Sequence, residues 1–133
     1  MAKTRSELRE KAMVILYQID ILKSNNCEYN IENLIVENLE VDNEFVRNIV
    51  YGVVTHEESL NEIANSKMKD WSIERIDKTG AAILRIGLYE MLYEEETPNI
   101  VAINEAIELA KKYSDDNVRK IINAVLDKVN NDN

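Results

Sequence analysis

"IDKTGAAILRIGLYEML", residues Ile76 to Leu92, decides the fold class. Ile76, Gly80, Ile83, Leu84, Gly87, Leu88, Met91 and Leu92 recur at i, i+4, i+7 and i+8 through four turns. A half-buried strand would alternate with period two, and this stretch does not. Its two glycines cost about 1 kcal/mol each in helix propensity against alanine. A glycine in an apolar stripe is kept where it lets a second helix approach closely. The spacing therefore predicts a central helix crossed at short range. The acidic run Glu94 to Glu96 and then Pro98 end it, because the residue before a proline avoids the helical region.

The rest of the chain reads the same way on both sides of this helix. Thr4 and Glu7 form the S/T-x-x-E capping box of a first helix with the stripe Leu8, Ala12, Ile15, Leu16 and Ile19. A short helix covers about Ile31 to Leu39. Asp42 is expected to cap a third, with Phe45, Val46, Ile49, Val50 and Val53 on one face. A separate fourth is expected from about Ser59 to Met68. Beyond Pro98, Ile103, Ala106, Ile107 and Ala110 face inward, and Glu108 with Lys112 forms an i, i+4 pair. Ser114 to Asn117 open a last helix carrying Val118, Ile121, Ile122, Val125, Leu126 and Val129. The expectation is an all-α protein of about seven helices in one domain, residues 1–133.

Composition agrees. With 133 residues, 45% hydrophobic and 31% charged, the chain can bury a core without disulfides or metals. Three glycines and one proline leave few tight turns. A single cysteine, Cys27, excludes an internal disulfide and suits a reducing cytoplasm. Neither a membrane-length apolar run nor a signal-peptide core is visible, so no membrane role and a cytoplasmic location are expected. Glycine-rich phosphate loops, HExxH and EF-hand patterns are absent, and His56 is the only histidine. No cofactor, metal or catalytic residue is expected.

Charge singles out one segment. Lys3, Arg5, Arg9 and Lys11 face only Glu7 and Glu10 in the first eleven residues, a net +2 in a chain of net −9. The other 122 residues then carry −11. Arg5 and Arg9 are one turn apart and could engage neighbouring phosphates, and Tyr17, off the core stripe, could stack on a base. An ordinary exposed helix terminus would carry the same residues. A second basic set, Lys111, Lys112, Arg119 and Lys120, is interrupted by Asp115 and Asp116. Arg119 and Lys120 stand near a helix start, where they oppose the macrodipole, and a solvated face accounts for them equally.

The order of motifs resembles the NusB family of bacterial transcription antitermination factors along nearly the full chain. "AAILRIGLYEMLYEEETPNIVAINEAIELAKKYSDDNVRKIINAVLDKV", Ala81 to Val129, is similar to that family's L-R-x-x-x-Y-E, P-x-x-V-A-I-N-E-A and N-x-V-L-D succession. "KAMVILYQID" and "FVRNIVYGVV" agree with its earlier helices. The resemblance implies two three-helix-type subdomains, roughly 1–70 and 71–133. It implies a non-enzymatic adaptor that binds single-stranded boxA-type RNA together with the ribosomal protein NusE. That pair serves the RNA polymerase antitermination complex, notably on ribosomal RNA operons. The RNA-binding residues it implies are Lys3, Arg5, Arg9, Lys11 and Tyr17; Arg119 and Lys120 join them as a further expected set on their charge. The family's first helix is more arginine-rich than this one, which implies greater dependence on NusE. A monomer and a homodimer both suit the fold. Asn104 and Glu105, in "INEA", are expected first to hold the connection at 94–100 and, as a second reading, to contact a partner. Two alternatives stand beside this reading. Ala124 also resembles the N-A-V-L stretch in the RNA-binding N-terminal domain of ribosomal RNA cytosine methyltransferases, and an acidic helical protein-interaction scaffold has the same composition.

Overall fold

In the computed structural model, which describes residues 3–132, the helices are α1 (Arg5–Ser24), α2 (Ile31–Asn38), α3 (Glu44–Ser66), α4 (Lys78–Tyr93), α5 (Asn99–Tyr113) and α6 (Asp116–Asn131). A single 3-10 turn, Ile73–Arg75, precedes α4. Among the described residues there is no β-strand. Among the described residues the count is six α-helices rather than seven. The expected third and fourth helices are one, because Leu60 and Ala64 continue the Val46–Val53 stripe at i+7 and i+4 and all are buried. The polar run from Thr55 to Ser59 between them contains no helix breaker.

Side-chain caps set the helix starts. Thr4 accepts from the Glu7 backbone amide and closes the capping box around α1. Asn43, not Asp42, caps α3: its Oδ1 accepts from Val46 N at 3.0 Å. Asp42 instead pairs with Arg47. Asp115 caps α6 through Val118 N at 2.8 Å. Each such cap is worth about 1 kcal/mol.

The helix of the Gly80–Leu92 stripe, α4, lies at the centre and packs against α1, α3, α5 and α6. Every residue from Gly80 to Leu88 is buried. The glycines account for the close crossing: a Cβ on Gly80 would stand 2.5 Å from Val118 Cγ1, and one on Gly87 would stand 3.1 Å from Leu126 Cδ1. Gly80 and Gly87 thus admit α6, as the stripe suggested. Buried apolar residues from all six helices and the 3-10 turn join one cluster.

Candidate nucleic-acid interface

The basic arm begins with an unequal distribution of its own charges. Lys3 is exposed and stands 4.0 Å from Glu7, one turn on. Arg5 is exposed, with its guanidinium carbon 4.0 Å from the centre of the Phe45 ring at the start of α3. An aromatic face attracts a guanidinium through its quadrupole without neutralising it. Arg5 is thereby held in place with its N–H edges and its charge available. Lys11 is half-buried, and Tyr17 exposes 38% of its surface.

Arg9 is placed differently. It is 4% exposed, and its Nε and NH2 donate to the two oxygens of Glu90 at 2.7 and 2.8 Å. Glu105 stands 3.8 Å from NH1. Burial alone would lower the Arg9 pKa; the hydrogen bonds and charge of Glu90, then the charge of Glu105, outweigh it and hold the group above its ordinary value. One turn of helix therefore separates a cation directed outward from one committed to the interior. The sequence carries the signal: Arg9 stands three, four and seven residues before Ala12, Met13 and Leu16, on the core stripe. Glu90 likewise follows Ile83 by seven residues and Gly87 by three.

Glu105 fixes the foot of the same arm. Both of its carboxylate oxygens accept from Ser6 Oγ at 2.9 Å. It therefore ties α5 to α1, rather than bracing the 94–100 connection as expected from sequence; Asn104 is exposed. Farther along, Glu10 accepts from Lys112 Nζ at 2.5 Å and from the Tyr113 hydroxyl at 2.8 Å. The expected Glu108–Lys112 pair gives way to this one, and Glu108 pairs with Lys111 at 3.3 Å. The hydrogen bond from Lys112 holds the Glu10 carboxyl below its ordinary pKa, against the opposing effect of burial.

Arg119 and Lys120 stand on α6, which packs chiefly on α5 and α4. Arg119 is half-buried, 3.7 Å from Asp116, and its Nε has no hydrogen-bond partner; Lys120 is exposed.

Arg5, Phe45, Pro98 and Val101 line a cleft of about 690 Å³ together with Glu44, Glu94 and Glu96. Cation, aromatic face and carboxylates meet in one hollow between the starts of α1 and α3 and the α4–α5 connection. The arrangement offers contacts for an anionic strand at Arg5 and for a basic protein along the carboxylates. Among the described residues there is no cluster of His, Cys, Asp or Glu suited to a metal ion.

The NusB family profile matches residues 6–131. The chain belongs to the NusB family. It is 42% identical to the transcription antitermination protein NusB of Bacillus cereus over 125 residues, 94% of this chain and 95% of that one. The identity to NusB of Bacillus thuringiensis is the same over the same shares. Among solved structures, T. maritima NusB superposes with a TM-score of 0.85 at 26% identity, covering 97% of this chain and 92% of that one. A NusB chain from the crystal structure of antitermination factors NusB and NusE in complex with double-stranded RNA matches in fold, with a TM-score of 0.83 at 24% identity and full coverage of both chains. The family implied by Ala81–Val129 is the one found, with an all-α fold, and among the described residues no helix is long and apolar enough to cross a membrane.

Proposed function

We propose that this chain is a transcription antitermination factor that binds a boxA-type segment of nascent RNA jointly with the ribosomal protein NusE. It acts within the RNA polymerase antitermination complex and supports ribosomal RNA transcription in the cytoplasm. The observation that carries the reading is 42% identity, over nearly the whole of both chains, to transcription antitermination proteins. It acts by binding rather than catalysis.

In this reading, Arg5 is the principal phosphate contact of the arm, with Lys3 and Lys11 adding charge and Tyr17 offering a ring to a base. Arg9 serves from the interior by locking α1 onto α4 through Glu90. Arg119 and Lys120, on α6, are secondary contacts. NusE meets the C-terminal helices around 76–93 and 100–113. The carboxylates Glu94 and Glu96 beside this region suit a basic partner.

The experiment is a titration of labelled boxA-like RNA with this protein, with NusE and with both. The expected result is weak binding by the protein alone and tighter binding by the pair. Equal affinity with and without this protein would overturn the proposal.

A further inference from the structure

The connection from α3 to α4 carries a second meeting of cations with an aromatic ring. Residues 67–75 include Lys67, Lys69, Trp71 and Arg75. Trp71 is the chain's one tryptophan, and 46% of its surface is exposed. The loop around it is anchored. Ile73 is 1% exposed in the core, and its backbone amide donates to Asn65 Oδ1 at 2.8 Å. Arg75 NH1 donates to the Asp70 carbonyl at 3.0 Å, which holds the guanidinium carbon 5.2 Å from the indole ring. Asp70 adopts φ 66°, a left-handed turn that aspartate tolerates better than most residues. An indole is thus held outside the core, on an anchored loop, with a guanidinium beside its face.

Lysines complete the surface. Lys67, Met68, Lys69 and Lys128 line a cleft of about 350 Å³ with Asp132. Lys67 pairs with Asp132, and Lys128 Nζ donates to the Lys67 carbonyl at 3.2 Å. Exposed pairs of this kind are weak and give way to another anion. In a chain of net −9, Lys67 and Lys69 of the connecting loop and Lys128 of α6 line one cleft, on the same loop that carries the one exposed indole.

This surface lies at the opposite end of α1 from Arg5. Lys78, the first residue of α4, donates to Ser24, the last of α1. At 1.5 Å per residue, Arg5 and Ser24 are roughly 28 Å apart along the helix. Aromatic faces flanked by Arg and Lys hold single strands by stacking a base while the cations meet its phosphates. Resting on the RNA-binding reading above, we propose that Trp71 and Arg75, with Lys67, Lys69 and Lys128, form a second contact for single-stranded RNA. It takes the strand beyond the part held at the start of α1.

Trp71 itself supplies the test. Labelling this chain with 5-fluorotryptophan gives one fluorine signal that reports this loop alone, even when other proteins are present. Two RNAs are compared in the presence of NusE: a boxA-like strand, and the same strand extended by about 8 to 10 nucleotides, enough to cover roughly 28 Å even at the 3.4 Å per nucleotide of a strand stacked in a duplex. The extended RNA is expected to bind on the order of tenfold tighter and to shift the Trp71 signal. The variants Trp71→Ala and Lys69→Glu/Arg75→Gln are expected to lose that gain, to retain the affinity for the shorter strand and to keep the helical spectrum. Extended RNA that binds without shifting the Trp71 signal, or a gain that survives both variants, overturns the second contact and leaves the arm intact. A signal that shifts with NusE alone, and no further with RNA, makes the loop a protein contact and equally overturns it. Failure of both RNAs to bind overturns the RNA reading itself.

Discussion

Arg9 and Glu90, 81 residues apart in sequence, form a buried two-pronged ion pair that fastens α1 to the central helix α4. Both groups are almost wholly removed from water, at 4% and 1% exposure. Taking two charges out of water is costly, and their attraction repays it only when the hydrogen bonding is this complete. Removing one partner leaves the other charged and buried. Arg9→Ala or Glu90→Gln should therefore cost about 3–5 kcal/mol. Replacing both with apolar residues of similar volume, such as Arg9→Met with Glu90→Leu, should restore most of it. Urea denaturation of the three variants checks this; single variants as stable as the parent would contradict it.

Core packing gives a second expectation. Leu84 is fully buried in α4, so Leu84→Ala should cost about 2–5 kcal/mol. Gly52 makes the opposite test, of space rather than of a cavity. A methyl group there would collide with the Tyr89 ring packed across α3. Gly52→Ala gains about 1 kcal/mol in helix propensity, yet forcing the ring aside should cost about 1–3 kcal/mol. The denaturation midpoint should fall in both variants. A higher midpoint for Gly52→Ala would show that Tyr89 yields freely.

Local pattern carried much of the fold. The α4 stripe, the α1 capping box and the stop at Pro98 are consequences of residues a few positions apart, and they stand in the structure as read. The division of Glu44–Ser66 into two helices failed because the polar run Thr55–Ser59 resembles a loop in composition while permitting helix in every residue. The site was less legible, because its decisive contacts join distant segments. The basic character of α1 showed that the arm is charged. Which of its arginines stays outside depends on Glu90 and Phe45, 81 and 40 positions away. The place of Arg9 on the apolar stripe was the available sign. Lys112 likewise pairs with Glu10 across two helices instead of with its helical neighbour Glu108, a choice set by how α5 crosses α1.

The Glu10 pair predicts a pH effect. Its carboxyl is held below the ordinary glutamate value by the hydrogen bond from Lys112. A depressed carboxylate contributes stability that is present above the unfolded value, near 4.3, and is lost as pH falls through the folded value. Glu10→Gln should therefore lower the thermal midpoint at neutral pH. The difference from the parent should shrink once the pH falls below about 4. Thermal melts across that range check it. A difference that does not change with pH would mean that the side chain acts through packing alone.

The arm itself gives the sharpest test of function. Arg5 is held by an aromatic face and keeps its charge, whereas Arg9 is neutralised within the fold. Arg5→Glu should then remove most of the RNA affinity of the protein with NusE while leaving the helical spectrum unchanged. Each phosphate contact on a single strand contributes about −0.7 to the slope of log affinity against log salt. Losing Arg5 should make that slope shallower by about 0.7, and Lys3→Gln or Lys11→Gln should each do the same if it meets a phosphate. Tyr17→Ala should cost about 1–3 kcal/mol of binding where its ring stacks on a base, with no change in salt slope. Arg9→Ala should weaken binding chiefly by loosening α1, so its loss should track its loss of stability. Fluorescence anisotropy of labelled boxA-like RNA at several salt concentrations separates these effects. If Arg5→Glu leaves both affinity and slope unchanged, the RNA lies elsewhere, and the surface of Arg119 and Lys120 is the next to test.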